Sequence, residues 1–207
     1  MILGGPFCQE RSHAELALAA IRGGARIVQL REKEGDSRKL VEIATGVCEV
    51  CRAHGAFFIV NDRVDIAIAS GADGVHLGDE DLPPQLARAV LGPEKIIGVS
   101  VANLDQAKAA EAAGADYLGL GPVYPTSTKE CKVLPCGPQV VAEVVSAVSI
   151  PVFAIGGITP ENALPVLEAG AAGVAVISAV FGKPEPERAC REFLEVFSRV
   201  EKGGRRT

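Results

Sequence analysis

A parallel (β/α)8 (TIM) barrel is the fold that this sequence predicts, and two observations carry the prediction. A short helix–stop–strand phrase recurs four times, and apolar runs alternate with Ala-rich helical patterns through all 207 residues. The phrase reads Gly24-Ala25-Arg26-Ile27-Val28, Gly71-Ala72-Asp73-Gly74-Val75, Gly114-Ala115-Asp116-Tyr117-Leu118 and Gly170-Ala171-Ala172-Gly173-Val174. In each copy the glycine supplies the left-handed backbone that ends a helix, and the residues after it read as a buried strand.

In chain order, only Met1, Ile2 and Leu3 are available for a first strand before Gly4, Gly5 and Pro6. The barrel is therefore expected to start on a truncated strand, through a short start or a misassigned initiation. The second strand follows the phrase at 24–28, and a helical pattern over 39–52 leads to a third at 56–60. The fourth follows the phrase at 71–75, the fifth covers 95–99, the sixth 117–120, the seventh 151–155, and the eighth follows the phrase at 170–174. About eight such units in roughly 200 residues fit a compact barrel, with a doubly wound open sheet as the alternative. Residues 1–200 are expected to form one domain and 201–207, with two glycines and two arginines, a frayed tail.

Composition narrows the function. A hydrophobic content of 48% supports one substantial core, and a net charge of -5 argues against nucleic acid or an anionic membrane as partner. No run approaches the roughly 20 apolar residues that span a bilayer, and the start has no signal-peptide pattern. A cytoplasmic protein acting on small molecules is expected; association into a homo-oligomer is left open. Of six cysteines, Cys48 and Cys51 have CxxC spacing. They lie within a helical pattern without a second CxxC, which favours two small packed groups over redox or metal chemistry.

Every unusual polar cluster falls just after a strand, on the face where barrel enzymes place their chemistry. Gln29, Arg31 and Lys33 alternate at the end of the second strand and so share a direction. Asn61, Asp62 and Arg63 follow the third strand, His76 through Asp81 the fourth, Ser100 the fifth, and Gly156-Gly157 the seventh. The sixth leads into GPVYPTSTK at 121–129, where prolines stiffen a loop offering Thr126, Ser127, Thr128 and Lys129 as donors to phosphate. Gly157, with Ile177 and Ser178 opening a short extra helix, reads as a monophosphate site. Thr159-Pro160 is expected to cap the helix after the seventh strand.

Arg31, Lys33, Asn61 and Lys129 supply more positive charge than one monophosphate needs. Asp62 and Asp81 add carboxylates on adjacent loops. Carboxylates beside cations fit a hard divalent ion bridging to phosphate oxygens, which points to Mg2+ and a diphosphate. Asp79 and Glu80 are alternative ligands by position, and His76 is either a hydrogen-bonded inner-rim residue or an acid–base group. Two phosphorylated ligands in one mouth suggest a transferase.

Taken in order, QLREK at 29–33, NDR at 61–63, HLGDED at 76–81, GVS at 98–100, GPVYPTSTK at 121–129, IGGIT at 155–159 and VISA at 176–179 resemble the thiamine-phosphate synthase family over about residues 24–197. The resemblance implies a (β/α)8 enzyme that joins a hydroxymethylpyrimidine diphosphate to a thiazole phosphate. It implies Gln29, Arg31, Lys33, Asn61, Ser100 and Lys129 at the pyrimidine diphosphate, with Arg31, Lys33, Ser100 and Lys129 as the catalytic set. Asp62 and Asp81 would be magnesium ligands, and Thr126, Thr128, Gly157, Ile177 and Ser178 would hold the thiazole phosphate. The chain departs from the family pattern in its short first strand, in Asp79 where Gln is usual, and in the segment 130–136, which is read as a lid. A related thiazole tautomerase, a sugar-phosphate isomerase and a non-catalytic precursor sensor are the rival readings.

Overall fold

The computed structural model describes residues 1–8, 11–33, 35–126 and 134–203. Eight parallel strands stand in sequential order around a barrel: β1 (Ile2–Leu3), β2 (Ile27–Leu30), β3 (Phe57–Asn61), β4 (Gly74–Leu77), β5 (Ile96–Val101), β6 (Tyr117–Leu120), β7 (Val152–Ile155) and β8 (Gly173–Ala175). Between them run α1 (His13–Arg22), α2 (Ser37–Ala53), α3 (Val64–Ser70), α4 (Pro84–Leu91), α5 (Leu104–Ala112), α6 (Gly137–Ala147) and α7 (Ala163–Glu168). After β8 come a short α8 (Ser178–Phe181) and the long α9 (Pro186–Gly203). No helix among the described residues is long and apolar enough to cross a membrane.

Ile2 and Leu3 do form a first strand, and it bridges β2 and the end of β8. Ile2 and Leu3 pair in register with Gln29 and Leu30, and the Ile2 N–H donates to the Val176 carbonyl at 3.0 Å. The strand stops at Gly4, whose φ is +135° and where a Cβ would lie 2.1 Å from the Arg31 carbonyl oxygen. Only glycine lets the chain turn so close to β2.

The repeated phrase does what its chemistry dictates. All four of its leading glycines have positive φ. In the two copies that carry it, the aspartate has a further job. Asp73 accepts the Phe58 N–H at 2.7 Å, and Asp116 accepts the Ile97 N–H at 2.7 Å. Each carboxylate thus satisfies the N-terminal end of the strand beside its own, where a buried N–H would otherwise be orphaned.

Strands and helices share one core, in which Leu3, Val28, Phe58, Val75, Ile97, Leu118 and Leu120 are all buried. Helix α2 shows how the shell is attached. Asp36 caps it by accepting the Lys39 N–H at 2.9 Å, and Leu40, Ala44, Val47, Cys48 and Cys51 form its buried stripe. Both cysteines are free, and burial pushes Cys51 up to about 12, so the pair packs as the sequence suggests. Helix α9 runs through Gly203, since extending a formed helix costs far less than starting one; 204–207, the rest of the expected tail, lie outside the described residues.

The strand-end role of Asp73 is testable. Asp73→Ala should destabilise the protein by about 1–3 kcal/mol, since a buried N–H loses a charged acceptor. Urea unfolding should show this as a lower midpoint at unchanged slope; a loss below about 0.5 kcal/mol would refute the role.

Candidate active site

The C-terminal ends of the strands open into a cavity of about 600 Å3. Among the sequence-selected residues it brings together Gln29, Arg31, Asn61, Ser100, Thr126, Gly157, Ile177 and Ser178. Lys33, Asp62 and Asp81 do not line it; they form a charged cluster beside Arg31. Thr128 and Lys129 lie outside the described residues, as does most of the segment read as a lid.

Asp62 is the one non-glycine among the described residues with positive φ, at 63°. Aspartate tolerates this region better than most side chains, yet the conformation still costs energy and needs support. Support comes from both sides: the Asp62 N–H donates to the His76 carbonyl at 2.8 Å, and the Arg63 N–H donates to the Asn61 carbonyl at 2.7 Å. The turn brings the Asp62 carboxyl into hydrogen-bonding contact with Asp81. Asp81 is itself fixed by accepting the Gly78 N–H at 2.7 Å, whereas Asp79 and Glu80 are exposed. Of these three carboxylates, Asp81 is the one that meets Asp62.

Burial, the shared hydrogen bond and the negative charge of Asp81 push the Asp62 carboxyl up to about 6, against the pull of Lys33 and Arg31. Two carboxylates this close cannot both ionise cheaply without a cation. Their oxygens are the donors that magnesium takes, and one or two protein carboxylates suffice when substrate oxygens and water complete the shell. The residues present fit that ion.

On the barrel floor, His76 is 8% exposed. Its Nδ1 is 2.9 Å from the Tyr117 hydroxyl and its Nε2 is 2.9 Å from Ser100 Oγ. Tyr117 also hydrogen-bonds to Gln29, while burial raises its phenol well above the usual range. Gln29, Tyr117, His76 and Ser100 thus form a polar chain across the cavity, leaving His76 held as an inner-rim residue. Tyr117 is absent from the sequence-selected set. Its signal was the register: it faces Gly98 on β5, where a Cβ would fall 2.0 Å from the ring.

The opposite wall is a tight seam between two loops. The Val123 N–H donates to the Ile155 carbonyl at 2.9 Å and the Tyr124 N–H to the Gly156 carbonyl at 3.0 Å. A Cβ on Gly156 would sit 2.7 Å from Pro122 Cα, and one on Gly157 would sit 2.4 Å from the Pro125 carbonyl oxygen. The expected Thr159-Pro160 cap is not formed, because α7 starts later, at Ala163. Asn162 instead organises the loop: its side chain accepts the Thr159 N–H at 2.8 Å and donates to the Gly157 carbonyl at 2.9 Å. Sequence reasoning missed Asn162, although an Asn five residues beyond Gly157 was its available sign.

The family described as thiamine monophosphate synthase matches residues 1–180. A thiamine-phosphate synthase from Chlorobium limicola is 47% identical over 204 residues, covering 96% of this chain and 97% of the relative. One from Moorella thermoacetica is 50% identical over 190 residues, covering 92% and 90%. Among solved structures, a thiamine phosphate pyrophosphorylase from Pyrococcus furiosus superposes with a TM-score of 0.88 at 39% identity, covering 96% of this chain and 95% of that one.

The raised carboxyl has a pH signature. A folded-state value above the unfolded one means that the folded chain holds this proton more tightly, so stability falls as pH rises from about 4 to about 6. In metal-free protein, Asp62→Asn should match wild type near pH 4 and exceed it by about 1 kcal/mol at pH 7, after allowance for solvent screening. Paired urea titrations at the two pH values measure it, and a pH-independent difference would contradict the assignment.

Proposed function

Because the chain belongs to the thiamine monophosphate synthase family, we propose that it joins 4-amino-2-methyl-5-hydroxymethylpyrimidine diphosphate to 4-methyl-5-(2-hydroxyethyl)thiazole phosphate, forming thiamine phosphate and diphosphate. The observation that supports this reading is the placement of two polar clusters on opposite sides of one mouth, each suited to an anion. Arg31 and Lys33 flank the Asp62–Asp81 pair on one side, and Gly157 and Ser178 line the cavity on the other. The small phosphorylated substrates suit the cytoplasmic setting expected from the sequence.

In this reading the C–O bond between the pyrimidine methylene and the diphosphate breaks, the diphosphate keeps the electron pair, and the thiazole nitrogen forms the new C–N bond. The aminopyrimidine delocalises positive charge at the methylene, so no protein nucleophile is required. Arg31, Lys33 and Lys129 stabilise the departing diphosphate. Asp62 and Asp81 would hold magnesium, which when bound supplies further neutralisation of that leaving group. Gln29, Asn61 and Ser100 orient the pyrimidine end, with Ser100 held by His76. Thr126, Thr128, Gly157, Ile177 and Ser178 hold the thiazole phosphate and align its nitrogen for attack.

Diphosphate release with both substrates, with and without magnesium, tests the reading. Release should require both substrates and the metal; tight binding of thiazole phosphate without release would favour the tautomerase instead. Asp62→Ala and Asp81→Ala should each lower magnesium-dependent turnover by at least about 100-fold while the protein stays folded. Ser178→Asp should raise the KM for thiazole phosphate more than about tenfold by charge repulsion, with a smaller change in kcat. An unchanged KM would remove Ser178 from that site.

A further inference from the structure

Outside the cavity, a second group of ligating side chains converges from three separate elements. Cys8 Sγ, His13 Nε2 and a Glu32 carboxylate oxygen lie within 4.8 Å of one another. Cys8 ends the 3-10 turn Gly5–Cys8 that follows β1, His13 is the first residue of α1, and Glu32 lies just beyond β2. None of the three lines the cavity. Glu32 Oε1 is 2.7 Å from His13 Nε2 and accepts the Gly5 N–H at 2.9 Å. The side chains of His13 and Glu32 are only 15% and 14% exposed.

The backbone holds this group in place. The Arg31 N–H donates to the Leu3 carbonyl at 2.7 Å, and the Gly4 turn packs directly on Arg31. Ser12 begins α1 with a reciprocal capping box involving Glu15, which fixes the direction in which His13 enters the helix.

The donor types decide among ligands. Magnesium and calcium take oxygen donors, whereas a thiol, an imidazole and a carboxylate with one position left open match zinc and cobalt(II). Tetrahedral bonds of roughly 2.0–2.3 Å place ligand atoms roughly 3.3–3.8 Å apart. The cluster reaches that geometry if His13 and Glu32 separate by somewhat under about 1 Å, with the metal replacing their hydrogen bond, and if Cys8 Sγ, within 4.8 Å of both, settles at about 3.8 Å or less from each. Burial and the Glu32 carboxylate push the Cys8 thiol up to about 11, which makes it a poor free nucleophile or redox sensor. A neighbouring carboxylate that opposes a lone thiolate instead supports one bound to a divalent cation.

We propose that Cys8, His13 and Glu32 form a zinc-class transition-metal site with an exchangeable fourth position. The site fastens the turn after β1 and the start of α1 to the segment that carries Arg31 and Lys33. It is separate from the Asp62–Asp81 pair in donor type, and does not depend on the reaction proposed above.

Titrating the full metal-free chain with cobalt(II) in excess magnesium tests this directly. One equivalent should give intense tetrahedral visible bands and a near-ultraviolet thiolate-to-cobalt band, and zinc should bleach both. Cys8→Ser should abolish the thiolate band, and His13→Gln and Glu32→Gln should each weaken cobalt binding at least about tenfold. The double variant Cys131→Ser with Cys136→Ser should leave the spectrum unchanged. Zinc should also raise the melting temperature of wild type but not of Cys8→Ser. If Cys8→Ser fails to fold, His13→Gln still decides the matter, because it keeps the thiol and replaces an imidazole at a capped helix start. Absence of a thiolate band in folded wild type, its survival in Cys8→Ser, or unchanged affinity in His13→Gln overturns the proposal.

Discussion

Ile2 and Leu3 stand between β8 and β2, and their hydrogen bonds fix the distance between the two halves of the mouth. On one side Ile2 donates to Val176; on the other Leu3 accepts from Arg31. Val176 leads directly into Ile177 and Ser178, while Arg31 opens the basic segment. A two-residue strand therefore ties the proposed monophosphate half to the proposed diphosphate half. It suffices because its bonding to β2 begins before the strand itself, with the Met1 carbonyl accepting the Gln29 N–H, and because Leu3 is fully buried.

Given that frame, the site's character comes from charges placed where they would repel one another. Asp62 is held in a costly backbone conformation and pressed against Asp81, with Lys33 and Arg31 close enough to offset part of the charge. Such an arrangement is poor for stability but well suited to a cation and an anionic ligand arriving together. The polar chain from Gln29 through Tyr117 and His76 to Ser100 has the opposite character. It is satisfied internally, and it presets side chains that a substrate would otherwise have to order.

The order of strands was legible because the helix–stop–strand phrase encodes local physics: a left-handed stop, then a buried strand. The end of β1 was legible for the same reason, since Gly4 and Gly5 stop it. Most of the cavity residues could also be read, because in a parallel barrel every strand points its C-terminal end at one rim. What the residues alone left open depended on turns and register that only the folded backbone sets. Asp81 came from the family resemblance, and what separates it from Asp79 and Glu80 is the turn in which it accepts from Gly78. Tyr117 enters the cavity because its register partner is glycine. The Thr159-Pro160 cap was misplaced because Asn162 binds back to Gly157 and delays the helix.

In the proposed reaction Asp62 and Asp81 share a divalent cation with a bound diphosphate. Crystals grown with manganese in place of magnesium, and with diphosphate, would show this by anomalous scattering. One strong peak is expected within bonding distance of both carboxylates and of a diphosphate oxygen, with Arg31 and Lys33 on the same anion. Diphosphate bound at the mouth with no peak at Asp62 and Asp81 would contradict it.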